Sequence, residues 1–241
     1  MKRVVKWLLT AVLVVVLALA ALIAHTIYFK PLNLNWFYSR VFATFAFQSP
    51  ELLSSLRILP GWLDFYSAEL DDASPQHERK QIAQLKDDLA TLQKYDRNAL
   101  SAEEQLSYDT LAFFLQSQVD GEAFQFHDFP INQLHGIQSA LPDFMVQIHQ
   151  VGNRKDAEHY ITRLNLFQQK FTQVTEGLKL RESKGIIPPH FAVEEVLEQM
   201  KGFVAKPARE HVLYTSFKEK LDKIPAAEMD DADLSTADTY D

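Results

Sequence analysis

The first 28 residues constrain this chain most strongly, because they contain an apolar run from Leu8 to Ala24 that is interrupted only by Thr10. A bilayer core about 30 Å thick requires about 20 residues of helix. The segment from Trp7 to Tyr28 has that length, with an aromatic residue at each end, as is typical of membrane–water interfaces. We therefore expect one transmembrane helix that contacts the lipid bilayer through residues 7–28.

The basic residues predict how this helix is oriented. Lys2, Arg3 and Lys6 precede the apolar run, whereas the basic residues after it, beginning with Lys30 and Arg40, are more dispersed. Cytoplasmic flanks have the excess of Lys and Arg. We expect a single-pass protein of the cytoplasmic membrane, with its N-terminus inside and its body in the periplasm.

A cleaved signal peptide is the alternative, because Ala18-Leu19-Ala20 has the small-x-small pattern of a processing site. Cleavage near Ala20 would give a secreted protein. The apolar run extends past the roughly 7–15 residues of a signal-peptide core, which favours an uncleaved signal anchor over residues 1–29. The chain has no cysteine, so lipid attachment through Cys, disulfides and Cys-ligated metals are excluded.

Charge limits the partners of the remaining chain. All 32 acidic residues follow the anchor and three of the 24 basic ones precede it, which leaves the body with a net charge of −11. Nucleic-acid phosphates require a basic surface, so we expect no nucleic-acid partner. The same charge argues against the body lying flat on anionic lipid.

Periodicity and capping signals predict an all-α fold, with a body of about seven helices over residues 30–225. Ser49-Pro50-Glu51 and Ser74-Pro75 resemble helix starts, and Ser101 with Glu104 forms a capping box. A long helix is predicted over 156–180, whose apolar stripe we expect to be core. That stripe consists of Tyr160, Leu164, Phe167, Phe171, Val174 and Leu178.

Other segments give less regular predictions. Residues 62–70 are expected to be helical, and the Pro- and Gly-containing stretch 121–141 is expected to be a long loop. The aromatic stretch 35–47 is predicted to be buried between helices, with an interfacial foot beside the membrane as the alternative. Residues 226–241 form an acidic tail without a basic residue, which we expect to be disordered.

A search for catalytic motifs assigns no catalytic, cofactor-binding or metal-binding residue. His-Glu-x-x-His is absent, Glu158-His159 has the wrong order, and His190 with Glu194 offers only two ligands. No spacing rule makes His127, His135 and His149 converge on a metal. The sequence also lacks a Gly-x-Ser-x-Gly elbow and a phosphate-binding Gly loop.

Several short motifs, in this order, resemble the N-terminal half of the bacterial domain-of-unknown-function 885 family. The resemblance spans residues 47–221 and rests on Ser49-Pro50-Glu51, the run from Asn132 to Gln138 before Leu141-Pro142, the helix with Tyr160 and Leu164, and Gly185-Ile186-Ile187-Pro188-Pro189.

This resemblance implies a helical, zincin-type metallopeptidase fold with peptide substrates and a catalytic zinc. The zinc motif of that family, His-Glu followed by Pro-Gly-His-His, is absent from these 241 residues. We therefore expect a chain truncated before the zinc motif, inactive alone, that forms a helical wall of a peptide cleft. A non-catalytic, membrane-tethered helical binding module is the alternative.

Overall fold

The computed structural model describes residues 2–225, and over that range the chain is helical without a strand. This confirms the predicted all-α class. The acidic tail, 226–241, lies outside the described residues. The α-helices are α1 (Lys2–Tyr28), α2 (Leu34–Phe47), α3 (Pro50–Leu56), α4 (Pro75–Leu92), α5 (Ala102–Asp120), α6 (Ile137–Gln147), α7 (Arg154–Ser183), α8 (His190–Val204) and α9 (Val212–Leu221).

Helix α1 is the predicted apolar helix. Its segment Val5–Tyr28 is 24 residues long, and none of its most apolar window is buried by the protein. The length and composition are sufficient to cross a membrane, and a signal sequence would have the same properties. The helix is thus compatible with either an anchor or a signal peptide.

The predicted helix starts are confirmed. The Ser49 hydroxyl accepts a hydrogen bond from the Leu52 N–H at the start of α3. At the start of α5, Ser101 and Glu104 form the reciprocal capping box, in which each side chain accepts the other's backbone N–H. These local bonds satisfy N–H groups that the first helical turn leaves free.

The chain forms two compact units, and the first comprises the residues up to 45 together with residues 80–122. Its core contains Leu34 and Phe37 of α2, Leu89 and Leu92 of α4, and Leu115 of α5. The Arg40 guanidinium donates to the carbonyl of Phe29, 2.9 Å away, just beyond the end of α1, and pairs with Asp88 at 3.3 Å. This cation therefore ties the end of α1 to α4.

The second unit comprises residues 46–79 and the described residues from 123 onward. One of its clusters joins Met145 of α6, Tyr160 of α7 and Phe217 of α9. A smaller cluster contains Ala46, Leu53 and Tyr66. Helix α7 is 30 residues long and begins with Asn153, whose side chain accepts the Asp156 N–H.

Residues 62–70 do not form the predicted helix. Only Gly61–Leu63 makes a short 3₁₀ turn, and the chain then turns without a regular element until α4. The Asp64 carboxylate accepts the N–H groups of Tyr66 and Ser67, at 3.3 and 2.9 Å. This local side-chain bonding competes with helix formation, which explains the error.

Two further expectations are corrected. Helix α6 begins at Ile137, inside the stretch predicted to be a loop, and includes Pro142 within it. The aromatic stretch of α2 buries Phe37 but leaves Trp36, Phe42 and Phe45 from 38% to 59% exposed. Aromatic residues around the whole helix therefore did not predict which of them are buried. The alternative, that this stretch lies at the membrane interface, remains a prediction.

Candidate functional site

Most of the histidines considered as metal ligands from the sequence lie apart from one another in the structure, but His159 lies close to Asp64 and Asp156. The exposed His190 lies 3.3 Å from Glu194. His127 stacks edge-on against Phe124, whereas His149 is buried. Among the described residues, His127, His135 and His149 do not form a group of three metal ligands.

The buried face of α7 differs from the predicted apolar stripe. Tyr160 and Val174 are buried as expected, but the other residues buried on the same face include the cations Arg163, Lys170 and Arg181. These cations recur in helical register with Tyr160 and Val174, so they share one side of the helix. These cations were not predicted to be buried, because charges between apolar positions usually mark a solvated face.

Arg163 is fully buried and makes bonds to several separate segments of the second unit. Its guanidinium donates to the backbone carbonyls of Glu69 and Tyr66, at 2.8 and 3.0 Å, and to the Ser54 hydroxyl at 2.7 Å. Burial lowers the pKa of Arg163 to about 10, so the group remains cationic at neutral pH. These bonds replace the water that a buried guanidinium loses.

His149 is a further partner of Arg163. Its Nδ1 lies 2.8 Å from Nη1 of Arg163, and its Nε2 lies 3.3 Å from the carbonyl of Asp156. Because a guanidinium only donates, Nδ1 must accept and the proton must lie on Nε2. Burial, together with the Arg163 charge, lowers the pKa of His149 to about 3, which makes it a neutral structural group rather than a proton carrier.

The other two buried cations of α7 are paired with carboxylates. Lys170 lies 2.9 Å from Glu51 and donates to the carbonyl of Asp71 at 2.7 Å. Arg181 pairs with Asp128 at 2.5 Å and with Glu78 at 3.5 Å. Each cation therefore fixes a loop or helix start against α7, and this polar face has a structural role.

An apolar groove lies between α7 and α8, and it is the best candidate for a binding site. It has a volume of about 400 Å³. Groove residues of α8 are partly exposed: Val193 at 38%, Leu197 at 47% and Met200 at 37%. Facing them on α7 are Phe171, Val174 and Leu178, the last three residues of the predicted stripe.

The turn between the two helices determines the shape of this groove. Gly185 ends α7 with a φ of 75°, a conformation that favours glycine, and Pro189 caps α8. Ile186, Ile187 and Pro188 from this turn line one end of the groove. A second groove of about 610 Å³ shares Phe171 and Met200 with the first, so the apolar surface continues toward α6.

The lining of the first groove is mostly apolar. Among the described residues that line it, Lys179, Arg181 and Glu182 are charged and none is a histidine. Arg181 is already paired with Asp128. The groove can therefore accept apolar side chains of a ligand, with Lys179 and Glu182 at its edge to contact polar atoms.

The chain was compared with protein families, curated proteins and solved structures. Residues 50–239 match the model of a family described as "Bacterial protein of unknown function (DUF885)". A comparison with curated proteins gives no match.

The fold is similar to that in the crystal structure of a protein from Colwellia psychrerythraea named as a lipoprotein. The two are 18% identical, with a TM-score of 0.65, over 78% of this chain and 35% of the other. The chain thus spans about a third of the length of the solved structure that it matches.

Proposed function

The chain belongs to the DUF885 family of bacterial proteins. We propose that it forms a helical wall of a peptide-binding cleft on the outer side of the cytoplasmic membrane. The apolar groove between α7 and α8 is the observation that supports this function most directly. Partly exposed Leu197 and Met200 give it the surface that apolar peptide side chains need.

The proposed location depends on α1. A helix of this length and composition, preceded by three basic residues, favours an anchored body outside the cytoplasm. The naming of the Colwellia protein as a lipoprotein supports an envelope location by analogy. Cleavage near Ala20, which would release the body, is the alternative.

Peptide cleavage is not proposed for these 241 residues alone. The resemblance to zincin-type peptidases implies a zinc motif, His-Glu followed by Pro-Gly-His-His, and the sequence does not contain it. The groove lining also contains no histidine that could bind the ion. The ligands of that zinc motif would have to come from a further segment or another chain.

A non-catalytic binding module, tethered to the membrane, is the second candidate. It is favoured by the fact that both apolar grooves are lined entirely by residues of the second unit. Such a module would bind its ligand by itself, whereas one wall of a cleft would bind the ligand weakly until the other wall is present.

Peptide binding to the full chain in phospholipid nanodiscs tests both candidates. The probe is a fluorescein-labelled ten-residue peptide of Leu, Phe and Ser, followed by anisotropy. A Kd below about 0.1 mM favours the binding module, and a Kd of about 1 mM or more favours the cleft wall. In both cases we expect Leu197→Glu to weaken binding at least about tenfold, because it places a carboxylate in an apolar groove.

The matched control is Leu106→Glu, which introduces the same charge at a residue of α5 that is 69% exposed and outside both grooves. It should leave the Kd within about twofold, since surface substitutions rarely change local structure. Equal Kd values for wild type and Leu197→Glu would contradict a role for this groove in either function.

A further inference from the structure

Three potential metal ligands meet at the start of α7, away from the residues that line the apolar grooves. They are Asp64, Asp156 and His159, and one ligand atom from each lies within 4.8 Å of the others. Asp156 and His159 are three residues apart on α7, so their side chains share one face. Asp64 comes from the turn that follows Gly61–Leu63, and all three belong to the second unit.

The distance between two of these atoms fits coordination of a common ion. His159 Nδ1 lies 3.5 Å from Asp64 Oδ2. Two ligands bound tetrahedrally to Zn²⁺ at about 2.0–2.1 Å are separated by about 3.4 Å. The Asp156 carboxylate would then need a shift of roughly 1 Å to complete three ligands.

The imidazole of His159 has an unmet bonding requirement. Its Nδ1 is buried and forms no hydrogen bond with the described residues, although Asp64 Oδ2 lies 3.5 Å away. The side chains of His159 and Asp64 are 15% and 12% exposed. Leaving a buried polar atom without a hydrogen bond destabilises the folded state. A bound cation would supply the missing partner for Nδ1.

Backbone groups already orient both carboxylates. Oδ1 of Asp64 accepts the N–H groups of Tyr66 and Ser67, which leaves Oδ2 facing His159. Oδ2 of Asp156 accepts the Gly152 N–H at 2.9 Å. Such supporting hydrogen bonds commonly fix the ligands of metal sites.

From this geometry we propose that Asp64, Asp156 and His159 bind one divalent transition-metal ion of the Zn²⁺ class, with water as a further ligand. Two carboxylates balance the charge of the ion, and the imidazole nitrogen favours Zn²⁺ over Mg²⁺ or Ca²⁺, which prefer oxygen. The ion would fasten the turn after α3 to the first turns of α7. This role is structural and does not depend on the proposed peptide cleft.

Isothermal titration of the full chain in nanodiscs, after EDTA treatment and its removal, tests the site with Zn²⁺ as probe and Mg²⁺ as comparison. We expect one Zn²⁺ per chain, no matching Mg²⁺ binding, and a higher unfolding temperature with Zn²⁺, because a ligand bound to the folded state stabilises it. His159→Gln and the near-isosteric Asp64→Asn should each weaken this binding by at least about tenfold.

The control is His190→Gln, which removes an exposed histidine that also has a carboxylate neighbour, Glu194 at 3.3 Å. It should leave Zn²⁺ affinity unchanged. Circular dichroism of each variant verifies that the helical content is retained. If one ligand variant misfolds, the other still tests the site. Absence of Zn²⁺ binding by the wild type, or unchanged binding in both ligand variants, would overturn the proposal and leave a simple Asp64–His159 contact.

Discussion

Nη1 of Arg163 lies 2.8 Å from Nδ1 of His149 in the interior of the second unit. This contact joins a guanidinium that is fully buried to an imidazole that is 3% exposed. Since Arg163 also bonds segments before α4, it links the start of the unit to α7. The resulting arrangement makes a cation, Arg163, as fully buried as Tyr160 on the same helix.

Replacing Arg163 with Met should destabilise the second unit strongly. The change leaves the carbonyls of Glu69 and Tyr66 and the Ser54 hydroxyl without their donor, at a total cost of about 3–5 kcal/mol. Urea denaturation of the full chain in detergent, followed by circular dichroism, measures the loss. Arg57→Met is the control, because the exposed Arg57 side chain donates to the Ile148 carbonyl at 3.2 Å and its loss should cost less than about 1 kcal/mol.

The pKa of His149 predicts how stability changes with pH. In the folded state this pKa is lowered from 6.5 to about 3, so between those values the unfolded chain binds more protons and stability falls as pH falls. From pH 7 to pH 5 the contribution of this group should decrease by about 2 kcal/mol. Other groups also titrate over this range, so the comparison requires a variant.

His149→Gln provides that variant, because its amide can still accept from Arg163 but cannot be protonated. Urea denaturation at pH 7 and pH 5 should show a smaller loss of stability for the variant than for the wild type. If the two proteins lose the same free energy of unfolding, His149 is not the group that titrates.

Lys170 and Glu51 should behave as a coupled pair. Lys170→Met leaves the Glu51 carboxylate, 23% exposed, without its cation, and we expect a loss of about 3–5 kcal/mol. The double variant, Lys170→Met with Glu51→Met, should lose about 1–3 kcal/mol less unfolding free energy than the two single variants lose in total. A double-mutant cycle by urea denaturation measures this coupling, and strict additivity would contradict the pairing.

Arg40 and Asp88 should stabilise the first unit in a similar way. The side chain of Asp88 is 5% exposed, and burial raises its pKa, while Arg40 and Gln84 oppose that rise. Arg40→Met should lower the unfolding free energy by about 2–4 kcal/mol. Lys86→Met is the matched control, since the Lys86–Glu122 pair is about half exposed on both sides and should contribute less than about 1 kcal/mol.

Membrane topology can be measured directly because the chain has no cysteine. A single Cys introduced at Glu103, an exposed position of α5, should react with a membrane-impermeant maleimide in intact spheroplasts. A single Cys at Arg3, on the predicted cytoplasmic side, should react only after lysis. The opposite labelling pattern would contradict the proposed orientation. A mature chain that begins near Ala20 would instead identify a cleaved signal peptide.

The sequence by itself determined those features that depend on neighbouring residues. The apolar helix α1, the capping box at Ser101 and Glu104 and the long helix α7 were predictable, because helix periodicity and capping are local interactions. The turn at Asp64 was local as well, but side-chain bonds to the backbone competed with the apolar pattern and the helix prediction failed there.

Only the tertiary structure decided which face of α7 is buried and what its apolar stripe does. Helical periodicity identifies residues that share a face, but it does not reveal that Arg163 and Lys170 find carbonyl and carboxylate partners about a hundred residues away. Those partners make burial of the cations possible, and Phe171 and Leu178 then line a groove instead of a closed core. The physical reason is that the partners of a buried charge are brought together by folding and not by sequence spacing.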